Sequence, residues 1–284
     1  MKQHRFGGQW TEVKLDILAG YLSAYTQALK NQGFELIYVD AFAGTGEWVP
    51  ANEEEDEEIE PRRGSARIAL ETVPPFSQFH FIDKKKSHVD ALKALAEQSN
   101  HPEIQIHRDD ANKVICNLCS GIDWHNKRGS GRPKRAVLFL DPYGMSVEWN
   151  TLEVISKTKA IDVWYLFPIN AVVRQSPHDL SRMDESKRSA LTRIFGTDVW
   201  LRRIYEASAQ IDLFGAEPAM IRNADAQRLE RFVRERLETA FAKVLPPKRL
   251  PAKGLHKFSL FFAISNDSPP ATGLATKLAA HFLK

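Results

Sequence analysis

Residues 36–46 read Leu-Ile-Tyr-Val-Asp-Ala-Phe-Ala-Gly-Thr-Gly. The near-continuous apolar run at 36–39 is typical of a strand that is buried on both faces of a parallel sheet. The strand stops at Asp40, and Gly44 and Gly46 then bracket a turn in which the missing side chains let the backbone approach a ligand closely. Ligands of open α/β sheets bind at the carboxyl ends of strands. This stretch therefore predicts an α/β fold with a binding site directly after its first strand.

Further apolar segments of strand length follow along the chain, with helical patterns between most of them. The predicted strands lie at 79–82, 104–106, 136–140, 161–167 and 258–264. Alternation of strand and helix at this spacing implies parallel strands that are joined by right-handed crossovers. We expect a Rossmann-like, mainly parallel sheet with helices on both faces, in a single domain that spans residues 1–284.

Two segments interrupt this alternation. Residues 50–63 include seven acids between Glu53 and Glu60, and the repulsion among so many like charges predicts a disordered insertion. Residues 170–224 lose the regular pattern apart from short helical patches. We expect this second segment to be a helical insertion after strand five that serves as a lid or a substrate-recognition segment.

The distribution of charge indicates a class of partner. The formal net charge of +3 becomes +10 when the seven acids of the acidic run are set aside. Basic residues cluster at 84–86, 127–135 and 247–257, as contact with a phosphate-rich nucleic acid would require. Solvated loops would have the same composition. No apolar stretch approaches the roughly 18 residues that cross a bilayer, and the polar N-terminus lacks a signal-peptide core, so we expect a cytoplasmic protein with no membrane partner.

The two cysteines form a C-x-x-C pair at Cys116 and Cys119, which could be a redox pair or half of a zinc site. No second cysteine pair exists, and nothing in the sequence indicates that His107 and His125 complete such a site. We therefore predict thiols buried in the core, and no metal.

Acids after two further strands strengthen the case for a nucleoside ligand. A third glycine is absent at Val49 and no Gly-Lys-Ser/Thr loop occurs, which argues against NAD and ATP. Asp83, at the tip of strand two, can accept two hydrogen bonds from a ribose diol. Asp110 (or Asp109), after strand three, could bind an adenine amino group, although a helix N-cap is the alternative. Together these positions predict S-adenosylmethionine as the cofactor. The predicted cofactor-binding residues are Asp40, Phe42, Gly44, Gly46, Asp83 and Asp110.

The tetrapeptide Asp141-Pro142-Tyr143-Gly144 ends strand four, above the expected position of the methyl donor. Methylating an exocyclic amino nitrogen is difficult because its lone pair is delocalised into the ring. The Asp141 carboxylate and a neighbouring backbone carbonyl could accept the two N–H groups, while Tyr143 stacks on the base. An Asp-Pro turn with a packed tyrosine is the alternative. The predicted catalytic residues are Asp141, Pro142 and Tyr143.

Two residues just after strand five could reach the mouth of this site. They are Asn170 and Arg174, which we predict to bind substrate. Arg174 could hold a substrate phosphate with two hydrogen bonds, but a structural ion pair would account for it equally well.

The Asp-Pro-Tyr-Gly motif resembles those of two groups of amino-methyltransferases. One is the Asp/Asn-Pro-Pro-Tyr class, which modifies adenine N6 or cytosine N4. The other is the tRNA guanine-N2 dimethyltransferases, whose motif runs Asp-Pro-Phe/Tyr-Gly. The second proline is absent here and a glycine follows the tyrosine, so the match slightly favours the RNA-modifying group.

The chain as a whole resembles the three-Cys-motif partner (TcmP) family. The matching stretches are 11–18, 38–46, 64–66, 81–83, 141–144 and 166–170. The resemblance implies a Rossmann-like methyltransferase domain and a bacterial partner with a three-cysteine motif, similar to radical S-adenosylmethionine proteins. It does not supply a substrate.

The sequence thus favours an S-adenosylmethionine-dependent methyltransferase that acts on an exocyclic amino group of a nucleic-acid base, in RNA rather than DNA. Two alternatives remain open. The chain could be a cofactor-binding subunit of the three-cysteine protein without activity of its own, or it could methylate a protein or a small molecule.

Overall fold

The computed structural model describes residues 9–48, 62–129, 131–208, 218–250 and 258–284. The α-helices in these residues are α1 (Gln9–Leu29), α2 (Ser65–Leu70), α3 (Lys86–Glu97), α4 (Ala111–Gly121), α5 (Trp149–Lys157), α6 (Ile169–Gln175), α7 (Glu185–Phe195), α8 (Trp200–Ile204), α9 (Ala226–Glu238) and α10 (Pro269–Phe282), and a 3-10 turn covers Leu180–Arg182. None of these described helices is long and apolar enough to cross a membrane.

The strands are short, and most belong to one sheet. They are β1 (Glu35–Asp40), β2 (Glu47–Trp48), β3 (Arg62–Arg63), β4 (Gln78–Ile82), β5 (Ile104–His107), β6 (Lys134–Leu140), β7 (Ile161–Phe167), β8 (Tyr205–Ala207), β9 (Met220–Arg222), β10 (Lys243–Val244), β11 (Lys248–Arg249) and β12 (Ser259–Ile264).

The central sheet has the order β10-β12-β7-β6-β1-β4-β5, and β11 also pairs with β12. Strands β5, β4, β1, β6 and β7 are parallel, whereas β12 runs antiparallel to β7. This confirms the predicted Rossmann-like, mainly parallel sheet. The chain moves outward from β1 to β4 and β5, then returns to β6 on the other side of β1. The order therefore reverses between β1 and β6, and open α/β sheets bind their ligands at the carboxyl ends of the strands on either side of such a reversal.

Both faces of the sheet are covered, as the apolar sequence of β1 predicts. Leu36 and Tyr38 pack in the cluster that includes α1, α2 and α10, while Ile37 and Val39 pack in the cluster that includes α4, α5 and α9. Successive side chains of a strand point to opposite faces, so one strand contributes to two cores. Burial on both sides holds the end of β1 rigidly in place.

The predicted acidic insertion at 50–63 lies mostly outside the described residues. Its last two residues correct the prediction of disorder, because Arg62 and Arg63 form β3 and pair with β2. The Arg62 guanidinium lies 5.5 Å from the ring centroid of Trp48 and forms an ion pair with Glu12.

The segment between β7 and α9 contains helices α6, α7 and α8 and the β8–β9 hairpin. Arg222, from β9, donates hydrogen bonds of 2.6 Å to the carbonyls of Val173 and Ser176 at the end of α6. Phe195 and Trp200 are buried in the same cluster as α5 and α9. The segment is thus a helical insertion anchored on the main core, and its role as a lid stays a prediction.

Candidate functional site

Three carboxylates follow three neighbouring strands at the reversal point of the sheet. Asp40 is the last residue of β1, Asp83 follows β4 directly, and Asp141 follows β6 directly. Because β4, β1 and β6 are adjacent and parallel, their carboxyl ends lie side by side. The sheet therefore brings together residues that the sequence separates by about a hundred positions.

The glycine turn after β1 has the backbone conformation for which glycine is suited. Gly44 has a φ of +62° and Gly46 a φ of +80°, both in the left-handed region. The N–H of Gly64 donates to the carbonyl of Gly46 over 2.8 Å. A Cβ at Gly64 would lie 2.7 Å from the carbonyl carbon of Gly46, so two stretches of backbone meet here without room for a side chain.

Replacing Gly64 by alanine is expected to destabilise the protein by about 1–3 kcal/mol, because the new methyl group must push the glycine turn away. The matched control is Gly121→Ala at the last residue of α4, where nothing lies within 4 Å of an added Cβ. The free energy of unfolding of that variant should lie within about 1 kcal/mol of the wild-type value. Urea titration followed by circular dichroism measures both, and equal stabilities would contradict the tight approach at Gly64.

Asp83 is buried and connects the glycine turn to α3. Its Oδ2 accepts hydrogen bonds from the N–H of Gly44 at 3.2 Å and from Nδ1 of His88 at 3.0 Å, and its Oδ1 accepts from the N–H of Lys85 at 2.8 Å. A carboxylate can accept about four hydrogen bonds, so these three leave capacity for one more. The sequence indicated Asp83 but not His88, whose position one turn into α3 carries no distinctive signal.

Asp40 is fully buried, and burial raises its pKa from 3.8 to about 7. The Ser65 hydroxyl, the N–H of Phe42 and the Tyr38 hydroxyl oppose this rise, whereas the negative charge of Asp141 adds to it. The Tyr38 hydroxyl donates to Oδ2 over 3.4 Å, but Oδ1 has no hydrogen-bond partner among the described residues. An unsatisfied buried carboxylate oxygen is costly to the folded state.

Asp141 forms an ion pair with Lys14, a residue that the sequence analysis missed. Lys14 lies in the second turn of α1 and is only 5% exposed, and its Nζ is 4.7 Å from the ring centroid of Trp10. Trp10 and Lys14 are four residues apart and therefore share one face of the helix with Leu18. A lysine on an otherwise buried helical face was the available signal.

The loop after Asp141 is held by hydrogen bonds with Asn112 and exposes its aromatic residue. Asn112 donates to the carbonyl of Ser146 over 2.9 Å, and its Oδ1 accepts from the N–H of Glu148 at 3.0 Å and the hydroxyl of Thr151 at 2.9 Å. Pro142 is buried, whereas Tyr143 is 62% exposed. The alternative of a packed tyrosine is therefore wrong. Partial burial, with the negative charges of Asp83 and Asp141, raises the pKa of Tyr143.

Asp110 is the N-cap of α4, which was the alternative interpretation of this residue. Its Oδ1 accepts a hydrogen bond from the N–H of Lys113 at 3.2 Å and caps α4, and its Oδ2 pairs with Lys84 at 2.6 Å. Asp109 pairs with Lys113 at 2.6 Å. Phe42 is half-buried against the core cluster that contains β6. Asp110 and Phe42 thus have structural roles here, and their binding of the cofactor stays a prediction.

Asn170 and Arg174 lie on α6, which begins directly after β7. Asn170 is half-buried and Arg174 is exposed. Arg174 forms no ion pair with any described residue, so the alternative of a structural ion pair finds no support in these residues. No contact in the described part of the chain joins either residue to Asp141 or Tyr143, so their binding of substrate stays a prediction.

Some residues of the basic clusters form ion pairs within the protein. Lys86 pairs with Asp90, and Arg249 holds the buried Glu230, while residues 251–257 of the third cluster lie outside the described residues.

A cavity of about 580 Å³ lies beside Trp124, at the end of the sheet opposite to the three carboxylates, and basic residues line its rim. The C-x-x-C pair is reduced, with Cys119 buried and Cys116 half-buried, close to the prediction.

Comparison with solved structures finds several similar chains. Protein LPL1258 from Legionella pneumophila superposes with a TM-score of 0.50 and 11% identity, over 95% of this chain and 92% of that chain. An S-adenosylmethionine-dependent methyltransferase from Clostridium acetobutylicum gives a TM-score of 0.39 and 11% identity, over 89% and 92% of the two chains. An rRNA methylase from Streptococcus thermophilus gives 0.36 and 13%, over 91% and 98%. No family model matches the sequence, and no curated protein matches it. The superposition on the Legionella protein supports the fold that the strand order establishes.

Proposed function

We propose that this protein is an S-adenosylmethionine-dependent methyltransferase that acts on an exocyclic amino group of a nucleic-acid base, with RNA favoured over DNA. One observation carries the proposal. Three carboxylates and a glycine turn converge at the reversal point of the sheet, and the exposed Tyr143 stands beside one of them.

The residues present suit the chemical groups of this cofactor. The unpartnered Oδ1 of Asp40 would pair with the ammonium group of the methionine part, and the free acceptor capacity of Asp83 would bind a ribose hydroxyl. Gly44 leaves open space on its Cβ side, where a ligand could approach the backbone. Phe42, Gly46 and Asp110 would complete the pocket toward the adenine. The bound cofactor would supply an electrophilic methyl group.

The chain's own contribution to methyl transfer would be orientation. Asp141 and the carbonyl of the buried Pro142 would accept the two N–H groups of the substrate, so that the nitrogen lone pair faces the methyl donor. Tyr143 would stack on an unpaired or flipped base. The hydrogen bonds of Asn112 support this loop, so that the carboxylate is preorganised before the substrate arrives.

The exposed ring of Tyr143 and exposed arginines without ion pairs support a nucleic acid as the substrate. Arg174 is exposed without an ion pair among the described residues, and the same is true of Arg128 on the opposite side of the sheet. Such cations contact phosphates in nucleic-acid complexes. The preference for RNA rests on the likeness of the Asp-Pro-Tyr-Gly motif. The resemblance to the three-Cys-motif partner family would make a three-cysteine protein the partner. Asn170 and Arg174, on α6, would bind the substrate.

Calorimetric titration with S-adenosylhomocysteine tests the cofactor site. We expect micromolar binding to the wild type and at least tenfold weaker binding, about 1.4 kcal/mol, to Asp83→Ala, because this change removes both the ribose acceptor and the support of Gly44. Asp267→Ala is the matched control, since Asp267 is exposed and pairs with Lys159 near the amino ends of the parallel strands. Its affinity should stay within about threefold of the wild type.

Absence of binding to a folded wild-type protein would overturn the proposal for the isolated chain. Equal losses in Asp83→Ala and Asp267→Ala would show that the ligand binds elsewhere. Thermal melts of the three proteins separate a loss of binding from a loss of folding.

A further inference from the structure

Lys14 is the cation that faces Asp141, and it comes from outside the strand-end loops. Its ammonium group is buried between the Asp141 carboxylate and the ring of Trp10, which in turn stacks on Phe258 with ring centroids 4.8 Å apart. A lysine is rarely buried unless it is paired, because removing its charge from water is costly. The position of Lys14 is therefore determined by α1 and by its two partners.

The contact divides the two oxygens of Asp141 between two tasks. Lys14 donates to Oδ2, and the side chain of Asp141 is 24% exposed. Oδ1 has no hydrogen bond among the described residues, so it remains available to a substrate. An ion pair on one oxygen restricts rotation of the carboxylate and so sets the direction in which the other oxygen points.

The same contact offsets the charge of Asp141. In S-adenosylmethionine the sulfur carries a positive charge, which disappears as the methyl group leaves. A carboxylate that stabilised this charge would favour the cofactor before reaction over the transition state and would slow the transfer. A buried cation beside Asp141 removes most of this attraction.

We propose that Lys14 is a positioning residue that fixes the orientation of Asp141 and offsets its charge, so that Asp141 binds the amino group of the substrate and not the sulfonium of the cofactor. The inference rests on the proposed function. It assigns to α1 a part in distinguishing S-adenosylmethionine from its neutral-sulfur product.

Calorimetry with both cofactor forms tests this role without a methyl-accepting substrate. S-adenosylmethionine and S-adenosylhomocysteine differ at the sulfur by one methyl group and one positive charge. In Lys14→Met we expect the affinity for S-adenosylmethionine, relative to S-adenosylhomocysteine, to rise about tenfold over its wild-type value. Lys14→Arg keeps the charge, and its ratio should stay within threefold of the wild type.

A double-mutant cycle links the effect to Asp141. In Lys14→Met combined with Asp141→Asn, the ratio should return to within threefold of that in Asp141→Asn alone. Lys14→Gln replaces Lys14→Met if thermal melting shows that the methionine variant is unfolded.

The outcomes separate the two proposals. If the wild type binds both ligands and the ratio is unchanged in folded Lys14→Met or Lys14→Gln, the role of Lys14 is overturned while the cofactor site stands. A rise that persists in the double variant also overturns it, because the effect would then not act through Asp141. If the folded wild type binds neither ligand, the proposed function fails and the inference fails with it.

Discussion

Replacing Asp141 by alanine is expected to reduce methyl transfer by about 100- to 1,000-fold while S-adenosylhomocysteine binds within about threefold of the wild type. The carboxylate would act on the amino group only while the nitrogen attacks, so its loss removes an interaction of the transition state. Transfer of a labelled methyl group from S-adenosylmethionine to RNA and DNA, each isolated from a strain that lacks the gene, measures the effect.

The control for this variant is Asp267→Ala, which removes an exposed carboxylate at the opposite end of the sheet and should keep full activity. Because Asp141→Ala leaves the buried Lys14 without its partner, thermal melting must show that the variant is folded at the assay temperature. If the wild-type enzyme transfers the labelled methyl group to protein and not to nucleic acid, the proposed substrate class is contradicted. Full activity of folded Asp141→Ala would contradict the assignment of this carboxylate.

Asp40 is expected to make cofactor binding depend on pH. Its pKa is raised to about 7, so the carboxyl group is protonated below that pH and cannot pair with an ammonium group. The affinity for S-adenosylhomocysteine should therefore rise about tenfold per pH unit from pH 5.5 toward 7 and level off above it. Asp40→Asn should bind at least about 30-fold more weakly at pH 8.5 and show no such slope. Calorimetry across this range measures both proteins.

The stability of the free protein should change in the opposite direction. The folded state holds the proton of Asp40 more tightly than the unfolded chain does, so this group's contribution is fully present below about pH 4 and is lost as the pH rises through about 7. The wild type should lose up to about 4 kcal/mol relative to Asp40→Asn over this interval. Urea titrations at pH 5 and pH 8 give the comparison. A difference between the two proteins that does not vary with pH would show that Asp40 stays ionised in the fold.

Local features of the candidate site could be predicted from the chain itself. The run before Asp40 required a doubly buried strand, and the glycines at 44 and 46 indicated a turn of unusual backbone conformation, which their positive φ angles confirm. The acids after β4 and β6 were found because a strand end followed by a carboxylate is visible within a few residues. The helix cap at Asp110 was visible in the same way, as an alternative.

Other features could not be predicted because they join distant parts of the chain. The antiparallel β12 and the helix α10 that follows it depend on which edge of the sheet is free and on the apolar face of α1. The ion pair between Lys14 and Asp141 spans 127 residues, and neither partner specifies the other. Arg62 and Arg63, which follow the acidic run, pair with β2, and the partners of Arg62 are Trp48 and the distant Glu12.

The sequence by itself determined the type and order of the main elements from α1 to β7, the positions of the carboxylates at strand ends and the turn between Gly44 and Gly46. These depend on side-chain periodicity and backbone preference, which act over a few neighbouring residues. Only the tertiary structure decided that β1 lies between β4 and β6, that Asp40 is buried with an unpaired oxygen, and that Lys14 faces Asp141. Strand order and burial follow from the packing of whole helices against the sheet, and the energy of that packing is shared among residues far apart in the chain.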